Sequence, residues 1–230
     1  MTDKDLERYA AQAAIPLLYV QSRLSDFGPD VQAAVAENAT VDFFLHGPPG
    51  RGKTRLSAAI LLQSIQGGFA WHEDKSFVRP VHTLSAAFRK CADILSEIKQ
   101  SFGGDGPGEA FILRRLCGYR ALVIDDFGQE SASDWGLGIV LRIVDKRMDT
   151  GFSTIITSNL DLPGVERLEP RLASRFAGMA VIHLTGRDRR IGNHIHSANK
   201  DAARHSADRT PAMKGNGDVQ GLNGEGGPPD

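Results

Sequence analysis

Apolar and polar positions along the chain alternate between short β-type runs and helical periodicities. Val41 to Leu45 (VDFFL) is a short β-rich run, and the spacing from Lys53 to Gln66 predicts a helix that stops at Gly67-Gly68. FVRPVHT, residues 77–83, reads as a second strand, with Pro80 favouring an edge or a start nearer Val81. Leu84, Ala87, Phe88, Cys91, Leu95 and Ile98 recur at helical spacing behind Thr83, a candidate N-cap. SFGGDGPG is a loop, and Glu109 to Cys117 predicts a short helix stopped by Gly118. Ala121 to Ile124 (ALVI) is apolar without alternation and runs into two aspartates, the pattern of a parallel strand buried on both faces. Asp134 to Met148 is apolar at helical spacing. Ser153 to Ser158 (STIITS) is another buried-type strand, LDLPG a turn, Glu169 to Phe176 a helix and Met179 to Leu184 a last strand. Strands alternating with helices imply an α/β layered fold around a parallel sheet.

The two ends differ from this middle. Asp3 to Gln12 predicts a short helix leading into AIPLLY, while His205 to Asp230 carries six Gly, three Pro and few apolar residues. Such a segment cannot offset its ordering entropy, so a disordered tail is expected. The resulting division is a short N-terminal helix and linker over 1–40, a core over 41–190, and a basic linker with a Gly/Pro-rich tail over 191–230. There is no internal repeat.

At 230 residues the chain is long enough for one domain with a substantial core. The formal charge of −1 does not by itself mark a nucleic-acid or membrane binder, although Arg187 to Lys214 holds seven Lys/Arg against three Asp. Cys91 and Cys117 lack the spacing of a metal knuckle and read as buried thiols in a reducing compartment. His194 and His196 alternate like metal ligands without a third partner. The N-terminus is charged and no apolar run is long enough to cross a bilayer, so a soluble cytoplasmic protein without a membrane partner is expected.

Candidate chemistry concentrates in GPPGRGKT, Gly47 to Thr54, which fits G-x-x-x-x-G-K-[ST] with a strand before it and a helix behind. Gly47, Gly50 and Gly52 permit a tight turn with inward N–H groups, and the helix N-terminus completes an anion site for phosphates. Lys53 adds a point charge, Thr54 a hydroxyl for Mg²⁺, and Pro48 and Pro49 stiffen the loop. At the tip of the ALVI strand, Asp125 is placed to reach a metal and Asp126 to accept a proton from water, with Glu130 as a competing base. Asn159, just past STIITS, is placed to orient that water. Arg171 and Arg175 lie four apart on one helical face, as an arginine finger toward a neighbouring subunit would. An N-K-x-D guanine reader is missed by one place at Asn199 to Ala202, so ATP is preferred over GTP.

Taken together, AAIPLLY, SRLSDF, FFLHGPPGRGKTRLSAAI, ALVIDDFGQESASDW, TIITSNLDL and RLASRF resemble the DnaC/IstB group of AAA+ ATPases from about Ala13 to Leu184. The resemblance implies a P-loop NTPase three-layer sandwich. Its core would be a parallel five-stranded sheet of order 5-1-4-3-2, without a full helical lid domain. It implies ATP and Mg²⁺, with Gly47, Pro48, Pro49, Gly50, Arg51, Gly52, Lys53 and Thr54 as Walker A. Asp125 and Asp126 would be Walker B, with Thr54 and Asp125 toward the metal. Asn159 would be sensor 1, Arg175 the arginine finger with Arg171 beside it, and Ile15-Pro16 the segment near adenine. Group members load replicative hexameric DNA helicases onto single-stranded DNA or assist a transposase, which implies a homo-oligomer joined through the arginine finger.

Asp-Asp rather than Asp-Glu at the strand tip suits a slow ATPase switch, stimulated by assembly or by DNA. The alternatives are an IstB-like transposase helper ATPase and an ATP-gated adaptor with little hydrolysis. Arg187, Arg189 and Arg190 match sensor 2 only loosely, and the forty residues before Val41 leave a helicase-gripping domain absent or reduced to the first helix. Initiator-like relatives line a DNA channel with a helix between the second and third strands. Here that region, Lys90 to Arg115, contains Lys99, Phe102, Arg114 and Arg115, with Phe111 read as core and Ser133 as a further candidate contact.

Overall fold

The computed structural model describes residues 2–38, 42–66, 86–104, 107–128 and 133–185. Among them five strands form one sheet: β1 (Phe43–His46), β2 (Ala86–Lys90), β3 (Ala121–Phe127), β4 (Ser153–Ser158) and β5 (Ala180–His183). Every pairing is parallel and the order is β2-β3-β4-β1-β5, which from the other edge is the expected 5-1-4-3-2.

The central strands β1 and β3 are apolar without alternation because both faces are covered, and β4 is buried along its whole length, whereas the edge strand β5 leaves Val181 exposed. Phe43, Leu45, Val123 and Ile155 point into one apolar layer, and Phe44, Leu122, Ile124 and Ile156 into the other. The first layer is closed by α1 (Asp3–Gln12), α2 (Pro29–Glu37) and α3 (Lys53–Gln66). The second is closed by α4 (Cys91–Gln100), α5 (Glu109–Gly118), α6 (Asp134–Thr150), α7 (Leu162–Leu168) and α8 (Pro170–Ala177). Phe43, Phe44, Leu45, Leu56 and Phe176 are fully buried, each contributing about 1.5–3 kcal/mol relative to exposure. No helix among the described residues is long and apolar enough to cross a membrane.

Three expectations are corrected. Ala87 and Phe88, read as the start of a helix, lie in β2, and the helix begins at Cys91. Short apolar runs fit both periods, and pairing of Ala86 to Lys90 with β3 decides this one. LDLPG is not a simple turn: Asp161 accepts from Gly164 N–H at 2.8 Å and caps α7, whose first turn carries Pro163. Phe111 is 54% exposed on α5 rather than core. The segment 77–83, Thr83, Glu130, Arg187, His194 and the tail lie outside the described residues.

The N-terminal stretch packs into the same layer as α3. Thr2 and Asp5 form a capping box at the start of α1. Ala13 O then accepts from Phe88 N–H at 2.7 Å, covering the β2 edge, and Arg55 pairs with Asp26 at 2.7 Å.

At the N-terminal ends of the strands, Arg147 of α6 is fully buried. Its guanidinium donates to the carbonyls of Leu116 (2.9 Å), Tyr119 (2.7 Å) and Ser153, and to Thr154 Oγ1 (2.9 Å). Asp42, just before β1, accepts from Thr154 N–H at 2.6 Å. Burial pulls the Arg147 pKa down to about 10 and pushes the Asp42 carboxyl up from its ordinary value.

Candidate active site

The opposite, C-terminal edge of the sheet carries the phosphate loop between β1 and α3. Gly47, Gly50 and Gly52 have φ of 140°, 78° and 92°. At Gly47 a Cβ would also meet Leu184 O at 2.3 Å, because the chain after β5 runs against the loop and Leu184 N–H donates to His46 O at 2.8 Å. Pro48 and Pro49 are exposed on the loop, and Arg51 is half-buried.

Lys53 opens α3 and is buried at 7% exposure. Its Nζ donates to Gly47 O (2.7 Å), Pro48 O (2.9 Å) and Asn159 Oδ1 (2.8 Å). Asn159 Nδ2 in turn donates to Asp126 Oδ1 at 3.2 Å. The structure thus joins three of the sequence-selected residues in one chain of contacts, from the loop lysine to the exposed acid.

Asp125 and Asp126 sit in an irregularity of β3. Ile124 pairs with Ile156 but Phe127 with Ser158, so two residues of β3 oppose Thr157 of β4. Asp126 takes φ of 61°, a left-handed conformation that Asp tolerates better than most residues. Its N–H donates to Thr157 Oγ1 at 2.8 Å, and that hydroxyl donates to Asp125 Oδ1 at 2.7 Å. Asp125 is 4% exposed; burial pushes its carboxyl up, against the hydroxyls of Thr157 and Thr54, which hydrogen-bond it, and with the neighbouring Asp126 charge. Thr54 and Asp125, chosen as the metal pair, are therefore brought together.

Thr157 was not singled out from sequence. Its signal was available: it alternates with Ile155, which faces the α3 layer, so its hydroxyl points toward the phosphate-loop helix. His46 was missed as well. Its ring stacks on His183 at 4.6 Å and 4°, next to Phe44, and burial lowers its pKa, helped by His183 and Lys53 and opposed by Asp161.

The remaining candidates sit on other elements. Ile15 is buried in the α3 layer just beyond Ala13, beside β2, with β3 and β4 between that strand and β1. Arg175 and Arg171 are exposed on α8 and engaged within the chain: Arg175 Nε to Asp145 Oδ1 at 2.7 Å, Arg171 to both oxygens of Glu169 at 3.0 and 3.1 Å. Lys99 is exposed, and Phe102, 61% exposed, meets Trp135 edge-on at 6.1 Å. Arg115 shares Glu97 with Arg89. Ser133 accepts from Gly136 N–H at 3.2 Å and caps α6, a structural duty that accounts for its place after β3.

The donor set fits the groups the pattern implies. A hydroxyl and a buried carboxylate are hard oxygen ligands of the kind magnesium takes. Three positive-φ glycines, one side-chain-excluding approach and a helix N-terminus with a lysine make a cradle for phosphates.

Known proteins of similar sequence and fold place the chain in a family. Among relatives, the replicative helicase loader DnaC of Buchnera aphidicola subsp. Baizongia pistaciae (strain Bp) is 32% identical over 127 residues, 55% of this chain and 46% of that protein. DnaC of Escherichia coli (strain K12) is 29% identical over 126 residues, 55% and 45% of the two chains. The match thus spans about half the length of these curated relatives. AMPPCP-bound DnaA from Aquifex aeolicus superposes with a TM-score of 0.59 at 17% identity, over 85% of this chain and 62% of that one. A crystal structure of the DnaC helicase loader gives 0.57 at 20% identity, over 74% and 100%. Both carry the P-loop AAA+ fold found here. The family of IstB-like ATP binding proteins matches residues 33–167, which hold the phosphate loop, both acids and Asn159. That span is more than half of the sequence, and the chain belongs to the IstB-like ATP-binding family.

Proposed function

We propose that the chain is a slow Mg-ATPase that switches an oligomeric assembly loading a replicative hexameric helicase onto single-stranded DNA. The observation that carries the ATPase reading is the contact chain Lys53–Asn159–Asp126 set beside Asp125 and Thr54. The helicase-loading part rests on the named relatives, and only on the half of them that this chain matches.

Thr54 and Asp125 would hold magnesium, which when bound neutralises charge on the β- and γ-phosphates. The loop N–H groups and Lys53 bind the phosphates, and Asn159 orients water toward Asp126, which takes its proton. Asp126 is one methylene shorter than the Glu common at this place, which keeps hydrolysis slow. Arg175 acts as the finger toward a neighbouring copy after leaving Asp145. An exposed pair of this kind is worth about 0–1 kcal/mol, so release costs little.

Calorimetry with ATP, in magnesium and in EDTA, tests the site. Magnesium-dependent binding is expected, and Lys53→Ala should weaken it about 10–100-fold, the worth of one charge-assisted contact of about 1.5–3 kcal/mol. Absence of magnesium-dependent binding in folded wild type ends the ATPase reading. Recovery of a hexameric helicase in an ATP-containing pull-down supports the loader; recovery of a transposase moves the chain to transposition.

A further inference from the structure

Thr157 occupies a place that no other described side chain shares. Opposite the extra residue of β3, its one hydroxyl serves both acids, accepting from Asp126 N–H at 2.8 Å and donating to Asp125 Oδ1 at 2.7 Å. A hydroxyl carries one proton and two lone pairs, so a single oxygen can do both at once. A β-branched side chain in a strand is stiff about χ1, and Thr157 is 1% exposed, so the oxygen is held in place.

The two contacts close a small ring through the Asp125 side chain and the peptide bond that leads into Asp126, immediately before its left-handed φ of 61°. Backbone in that region persists only where its surroundings hold it. Without the ring, the extra residue has less reason to stay at this point of β3. A one-residue change of register turns every following side chain to the other face. Asp125 faces the α3 layer with Thr54, whereas Asp126 is exposed beside Asn159. A relaxed bulge would carry the acids away from these two positions together.

We propose that Thr157 is a positioning residue for the metal-holding and proton-accepting pair. It aims the Asp125 carboxylate and anchors the peptide that leads into the left-handed turn at Asp126, so that metal binding and proton acceptance both depend on one buried hydroxyl. The inference rests on the Mg-ATP reading above.

The test compares wild type, T157V and T157S, each loaded with AMPPCP and titrated with Mn²⁺ while free Mn²⁺ is followed by electron paramagnetic resonance. T157V keeps the shape and removes the hydroxyl, and should raise the Mn²⁺ half-saturation point about 10–100-fold, as loss of a partner behind a metal ligand does. AMPPCP affinity in EDTA should stay within about twofold, and T157S should return the metal midpoint to within about threefold of wild type. A merely structural role would lower the melting temperature and leave the metal midpoint in place. Should T157V fail to fold, T157A takes its place with the same expectation. A T157V midpoint within about twofold of wild type, or no rescue by serine, overturns the inference alone. Wild type that binds AMPPCP without any metal dependence overturns the Mg-ATP reading and the inference together.

Discussion

β3 and β4 carry a polar cluster at each end, and the two clusters are built on opposite terms. At the N-terminal end Arg147 is fully buried, and its guanidinium is satisfied by three carbonyls and a hydroxyl in unstrained surroundings. At the C-terminal end Asp125 is nearly as buried, but its partners are hydroxyls that a metal can rearrange, and the next residue sits at φ 61° in the open. The first cluster is turned inward, with four guanidinium hydrogen bonds to groups of the chain itself. The second holds its charges ready: Lys53 is tied to Asn159 and two loop carbonyls, all contacts that phosphates can take over. Buried polarity at one end joins the starts of β1 and β4 to α5 and α6, and at the other it stores a site.

If this contrast is right, substitutions at the two ends should separate activity from stability. The largest effect is expected at Asp126→Asn. Asn tolerates the left-handed conformation, so the fold should hold while single-turnover ATP hydrolysis falls about 10²–10⁴-fold, the range for loss of a general base. Hydrolysis unchanged in the folded variant would pass the role to another group. Next comes Arg147→Met, which leaves three carbonyls and Thr154 Oγ1 short of a donor. With unsatisfied buried groups at about 1–3 kcal/mol each and some rehydration, a loss of about 3–5 kcal/mol is expected in urea unfolding. Nucleotide affinity of the remaining folded fraction should not move, and a change there would show the two ends to be coupled.

A smaller effect distinguishes strain from satisfaction. Asp126→Gly removes the side chain from a positive-φ position and should stabilise the fold by about 0.5–1 kcal/mol while abolishing hydrolysis. No substitution at Arg147 should stabilise. A destabilised Asp126→Gly would mean that the Asn159 contact outweighs the backbone strain.

The C-terminal end was far more legible in the sequence than the N-terminal end, and the reason is chemical. A phosphate cradle needs glycines at fixed offsets, a lysine and a hydroxyl in one contiguous stretch, so Gly47 to Thr54 announces itself. Asp125 and Asp126 stand at a strand tip marked by a continuous apolar run, and Asn159 just past the buried strand STIITS. Arg147 has no such local mark: it ends an ordinary amphipathic helix, and its partners Leu116, Tyr119 and Ser153 offer backbone carbonyls, which any residue type supplies. Thr157 was hidden for a related reason, since its role depends on a bulge that only the register between β3 and β4 reveals. Ala87 and Phe88 read as helical because Ala86, Ala87 and Phe88 are buried on both faces of the sheet, and three consecutive apolar residues carry no period.

The smallest expected effect lies beside the loop, at His46. Burial depresses the His46 pKa below its ordinary 6.5, with His183 and Lys53 adding like charge and Asp161 opposing. As pH falls through 6.5 toward the depressed value, the unfolded chain takes up a proton that the folded chain resists, so stability falls with pH. The carboxyls of Asp42 and Asp125 are pushed up by burial and act in the opposite sense, gaining stability as pH falls through their folded values toward 3.8. Subtracting a variant isolates the histidine, since both carboxyls remain. His46→Phe keeps a ring between Phe44 and His183 and removes the titration. Urea unfolding of both proteins from about pH 8 to about pH 5 should show wild type losing stability relative to the variant on the acid side. Curves that stay parallel would mean that the imidazolium is accommodated next to Lys53. The site end would then tolerate added positive charge as indifferently as the Arg147 end is built to ignore it.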